Sequence, residues 1–144
     1  MGNNTTTSMK TAINGQIILR DFHTEKALFE NLPGAKADSE VEINPHFYRM
    51  TEPEEDDLYK VTLGVTIDEP NKLPFRLEAA LSGTFKLNNI PEDRVKDVLS
   101  TQVTAILFPY LRSMVSALTS LAAVPPIYLP VINAAALYKQ IEER

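Results

Sequence analysis

The sequence predicts an α+β domain, with strands first and helices packed on one face of the sheet after them. Three observations carry this reading. Two segments, Tyr59 to Ile67 and Phe75 to Leu87, alternate apolar and polar residues. A later segment, Pro91 to Leu121, repeats apolar residues at three-and-four spacing. The chain has 144 residues, 44% hydrophobic and 23% charged, which suits one globular domain over residues 1–144.

The elements follow in order. Met1 to Lys10 is polar and has no apolar signal segment, so residues 1–14 are expected to form a flexible tail. Gln16 to Glu30 carries Ile17, Ile18, Leu19, Phe22, Ala27, Leu28 and Phe29 and reads as one long or bent strand. Asn31-Leu32-Pro33-Gly34 ends it with turn chemistry. Val41 to Asn44 alternates and starts a second strand that extends toward Phe47 and Met50. Glu52 to Asp57 is expected to be a solvated acidic loop, because like charges repel and Pro53 breaks a ladder.

In the third strand Tyr59, Val61, Leu63, Val65 and Ile67 alternate with Lys60, Thr62, Gly64, Thr66 and Asp68. A short turn through Glu69-Pro70-Asn71-Lys72 leads to the fourth, where Phe75, Leu77, Ala79, Leu81, Phe85 and Leu87 share one side. Period two over this length means one buried and one wet face. That is the antiparallel signature, since strands covered on both faces read as continuous apolar runs.

The long helix starts at Pro91, which suits the first helical position, and Glu92 and Asp93 favour the positive end of its dipole. Pro109 lies inside it and predicts a kink. A short final helix is expected from Asn133, a good N-cap, with Leu137 and Ile141 on one side.

Several function classes drop out on composition. A net charge of −5 argues against nucleic-acid binding, which needs a basic surface. The absence of cysteine excludes a disulfide framework, a thiolate nucleophile and a Cys-based zinc site. Gly2, Gly15, Gly34, Gly64 and Gly83 make no phosphate-binding loop. His23 alternates with Asp21 and Glu25, but a metal site there needs a further ligand, so exposed strand residues are expected. No cofactor, no metal and no catalytic activity are expected.

One feature remains. From Ser113 to Tyr138 the chain has no charged residue. Pro125, Pro126 and Pro130 lie within that run, so it is no membrane span. An uncharged, proline-rich loop beside an apolar helix implies contact with its own helices, another subunit or an exchanging partner. Small residues at Ala105, Ala117, Ala122 and Ala123 would permit close helix contact between subunits. A domain that binds a small apolar ligand is the alternative of a different class.

At Ile106-Leu107-Phe108-Pro109-Tyr110-Leu111-Arg112, and again from Pro126 to Asn133, the chain resembles the SecB export-chaperone family. The resemblance extends from about Ile17 to Leu137 and includes Phe29-Glu30, Asp57-Leu58-Tyr59, Phe75, Glu78, Gly83 and Phe85. It implies a cytoplasmic, ATP-independent holdase with a four-stranded antiparallel sheet, a crossover connection and a homotetramer built as a dimer of dimers. Unfolded or precursor polypeptides would lie in apolar grooves. The corresponding residues here are Phe47, Met50, Leu118, Leu121, Val124, Ile127, Tyr128, Leu129, Val131 and Ile132.

The resemblance also implies docking of the translocation motor SecA on the polar sheet face. Glu30 and Glu78 match the family's motor-contacting acids. Lys26 and Arg76 depart from it, standing where the family has an acid and an apolar residue. These changes should weaken docking on a basic partner. They leave open a relative dedicated to another client, such as an antitoxin.

Overall fold

The computed structural model describes residues 15–32, 43–70, 72–121 and 139–144. The expected tail, the uncharged loop and the start of the expected final helix lie outside the described residues. Four long strands build the sheet: β1 (Gln16–Asn31), β2 (His46–Pro53), β3 (Leu58–Asp68) and β4 (Phe75–Asn88). They are followed by α1 (Glu92–Val98), a π-helical turn (Leu99–Val103), α2 (Thr104–Leu121) and a short strand β5 (Ile141–Glu143).

The strand order is β1-β4-β3-β2-β5. β2, β3 and β4 form an antiparallel meander, while β1 crosses over to pair antiparallel with β4. The bend expected in the first strand has a local cause. Register shifts between Leu19 and Asp21 and between Thr24 and Lys26 insert bulges, which bend and twist a strand.

Alternation is realised in β3 and β4. Val61, Leu63, Val65 and Ile67 face inward with Leu77, Ala79, Leu81 and Phe85, all nearly inaccessible to water. α2 lies over this face and buries Thr104, Leu107, Phe108, Leu111, Val115 and Thr119. Their three-and-four spacing puts them on one stripe. The Phe47 and Phe108 rings meet edge-on at 5.9 Å.

Three expectations are corrected. Glu52 and Pro53 belong to β2, and the acidic turn begins after them. Ile141 lies in β5, paired parallel to Phe47 of β2, so the sheet has a fifth strand where a helix was expected. Pro91 sits just before the helix, as its N-cap, with α1 starting at Glu92. α2 continues through Pro109, and a π turn lies upstream of it. There Thr104 Oγ1 donates to the Leu99 carbonyl at 3.1 Å. Such turns are a recognised cause of helix kinks.

Candidate functional site

The sheet and helix leave two surfaces of opposite character. The first is apolar. α2 covers β3 and β4 but leaves the inner side of β1 partly open, so Leu19 and Phe22 stay about 40% exposed. Phe22 leans on Tyr110 of α2, with ring centroids 4.7 Å apart. Ile106 and Tyr110 on the outer side of α2 are exposed, as are Ala105 and Ala117. The stripe continues to the end of the helix, where Leu118 is half-buried against the core and Leu121 is 85% exposed. Leu121 lies within the uncharged run.

The residues matched to client binding separate accordingly. Leu118 and Leu121 close the apolar stripe. Phe47 is in the core, 2% exposed. Met50 lies on the other side of the sheet, because residues three apart on a strand point to opposite faces. Val124, Ile127, Tyr128, Leu129, Val131 and Ile132 lie outside the described residues.

The second surface is the polar face of the sheet. It holds an open cleft of about 320 Å³ whose walls include Glu25, Lys26, Tyr48, Lys60, Glu78 and Arg144. The Tyr48 ring covers Gly64, its partner on β3. Its hydroxyl donates to Glu78 Oε2 at 2.6 Å, and the Arg144 guanidinium sits 4.0 Å above its ring. Burial and then the Glu78 carboxylate push the phenol above its ordinary range. Burial works against ionising Glu78, but the Tyr48 hydroxyl and the Lys26 ammonium outweigh it and hold the carboxyl below its usual value.

Two acid–cation pairs lie on this face. Lys26 Nζ is 3.1 Å from Glu78 Oε1, and Arg76 Nε is 2.5 Å from Glu30 Oε1. The two residues that depart from the family pattern thus sit on the two acids that keep to it. β1–β4 pairing explains this, since Glu30 stands directly opposite Arg76 and Leu28 opposite Glu78.

Further along the face Glu25 gathers three partners. Ser82 Oγ donates at 2.6 Å, His23 Nε2 lies at 2.7 Å and Lys60 Nζ at 3.1 Å. The Ser82 hydroxyl, then Lys60, lower the Glu25 carboxyl to about 2. A depressed carboxyl contributes stability above its ordinary value, and that contribution fades as pH falls toward about 2. Ser82→Ala is therefore expected to move the Glu25 titration back toward normal, followed by carboxyl carbon NMR. An unmoved titration would show that Lys60 and His23 alone set it. Among the described residues no group of three or more His, Asp and Glu could hold a metal ion. Among them, too, no helix is long and apolar enough to cross a membrane.

Arg49 is the residue that sequence reasoning missed. It is 1% exposed, on the helix side of β2. Its guanidinium donates to the Ser100 carbonyl at 3.0 Å and to Thr104 Oγ1 at 2.7 Å, and it pairs with Glu143 of β5. It ties strand edge, π turn and β5 together. The signal available was phase: Arg49 alternates with Phe47, so it had to point inward.

A family model described as preprotein translocase subunit SecB matches residues 7–144. The chain belongs to the SecB family. The protein-export protein SecB of Chromobacterium violaceum is 40% identical over 88 residues, 60% of this chain and 59% of that relative. The match therefore spans less than two thirds of that protein's length. The SecB of Paraburkholderia xenovorans is 35% identical over 130 residues, 87% of this chain and 80% of the relative. Among solved structures, a Mycobacterium tuberculosis SecB-like chaperone in complex with an antitoxin peptide superposes with a TM-score of 0.66. It is 16% identical and the match covers 81% of this chain and 91% of that one, so it shows a shared SecB-like fold.

Proposed function

We propose that this SecB-family chain is a cytoplasmic, ATP-independent holdase that keeps unfolded or precursor polypeptides from aggregating during export. The supporting observation is the apolar stripe of α2, which runs through Leu118 and Leu121 into the uncharged stretch from Ala122 to Tyr138. Val124, Ile127, Tyr128, Leu129, Val131 and Ile132 within that stretch are the proposed client contacts, whereas Phe47 is a core residue and Met50 belongs to the polar face.

Binding follows from burial. Apolar side chains contribute about 25 cal/mol per Å² removed from water. One short segment binds weakly once ordering is subtracted. Several grooves on one particle raise the effective concentration for later segments. Holding the unfolded form shifts its equilibrium by mass action and needs no fuel.

The particle we propose is a homotetramer. Ile106, Tyr110, Phe22 and Leu19 give each chain an apolar surface suited to a second copy. Sedimentation with a permanently unfolded model protein and no nucleotide tests this. The expected result is a tetramer that carries client. A monomer that leaves the client free contradicts it.

Docking on SecA is proposed to be weakened. Glu30 and Glu78 are the assigned contact acids, and each is neutralised by its cation partner. Exposed pairs of this kind add little stability, but they cancel the field that would steer a basic partner. Lys26→Glu combined with Arg76→Leu is expected to tighten binding to SecA by about tenfold or more, mainly through the on-rate. Surface plasmon resonance at low and high salt reads both. Unchanged affinity would mean that these acids do not form the contact.

A second reading has its own support. A neutralised docking face, together with the likeness to a SecB-like chaperone bound to an antitoxin peptide, fits a chaperone dedicated to one such client. Pull-down from the native host separates the two, since a dedicated chaperone returns one partner and a general holdase returns many.

A further inference from the structure

β2 would be the outer edge of the sheet but for β5. An uncovered strand edge is a template for any extended chain, and proteins cover such edges. The cover here is short. β5 has three residues and pairs in parallel, the less stable arrangement per residue.

Its contacts are nevertheless specific. Ile141 packs against the core cluster opposite Phe47. Glu142 meets His46 Nε2 at 2.8 Å. Glu143 meets the buried Arg49 guanidinium, and the Arg144 amide donates to the Arg49 carbonyl at 2.8 Å. An apolar side chain followed two positions later by a carboxylate is therefore what this edge accepts.

We propose that the β2 edge is a peptide-docking groove held in cis by β5. Its exchanging occupant is an extended segment of unfolded client polypeptide with an apolar residue followed two positions later by Asp or Glu. The inference rests on the reading that this chain holds unfolded polypeptides. Main-chain bonds along β2 give sequence-tolerant affinity, and the two side-chain positions give selectivity. Arg49 favours the acid, because its buried guanidinium already pairs with a carboxylate at this position, that of Glu143.

The probe is a fluorescent peptide with the sequence of Lys139–Arg144. It is titrated into the full natural chain and into the full-length Ile141→Ser, Glu143→Gln variant. The variant, with β5 loosened, is expected to bind it at least tenfold more tightly. A peptide with glutamine at the Glu143 position is expected to bind at least tenfold more weakly than the probe. Equal affinities in either comparison overturn the proposal.

Hydrogen exchange on the natural chain keeps the test decisive if the variant fails to fold. Excess probe should speed exchange at Ile141–Arg144 and leave β2 protected, and no change at β5 overturns the proposal. If the natural chain still suppresses client aggregation when these tests fail, the groove is refuted and the holdase reading stands. If it suppresses none, that reading falls, and the groove with it.

Discussion

Replacing Ile127 and Leu129 together by aspartate is expected to lower affinity for an unfolded client by about tenfold or more while leaving the assembly intact. A fully buried Ile or Leu contributes about 1.5–3 kcal/mol, and about 1.4 kcal/mol is a factor of ten. Partial burial in a shared groove reduces the first figure, so two positions together still exceed one decade. The added charges also demand water where client side chains would exclude it. Titration of a labelled unfolded protein gives the affinity, and sedimentation gives the assembly. A variant that falls to unfolded monomer would show that these residues belong to the core and not to a client surface.

The second large effect is on stability. Gly64→Ala is expected to lower the unfolding free energy by about 1–3 kcal/mol, the usual cost of overpacking a filled site. A Cβ at Gly64 would stand 2.3–2.5 Å from the Tyr48 ring, which no side chain tolerates without movement. That ring cannot simply swing away. Its hydroxyl is bound to Glu78, Arg144 covers it, and its residue is 5% exposed. Thermal unfolding followed by circular dichroism should show a lower midpoint. Tyr48→Ala in the same chain should recover part of the loss that Gly64→Ala causes, as a double-mutant cycle on contacting residues would show. Additive losses would mean that the ring is not the obstacle.

Much of the fold was legible from periodicity alone. The alternation of Tyr59–Ile67 and Phe75–Leu87 fixed two antiparallel strands and their inward residues, as observed. The spacing of apolar residues through Leu121 fixed the helix and its buried stripe. Strand order was not legible, because the inner face of a strand reads the same whichever neighbour it has. With the order hidden, the pairs Lys26–Glu78 and Arg76–Glu30 were hidden too, since they exist only when β1 lies beside β4.

β5 was misread for a physical reason. Leu137 and Ile141 have helical spacing, and a three-residue strand has no period to show. Grouping Phe47 with Met50 overlooked a signal that was present. An odd spacing on a strand divides its residues between the two faces, and Phe47 indeed lies in the core while Met50 faces the polar cleft.

The apolar stripe is the feature on which the functional account stands. Its most direct test is light scattering from a chemically denatured model protein diluted into buffer without ATP. The account predicts that the natural chain suppresses aggregation at a ratio near one assembled particle per client. Unchanged aggregation at a several-fold excess of the chaperone would contradict it.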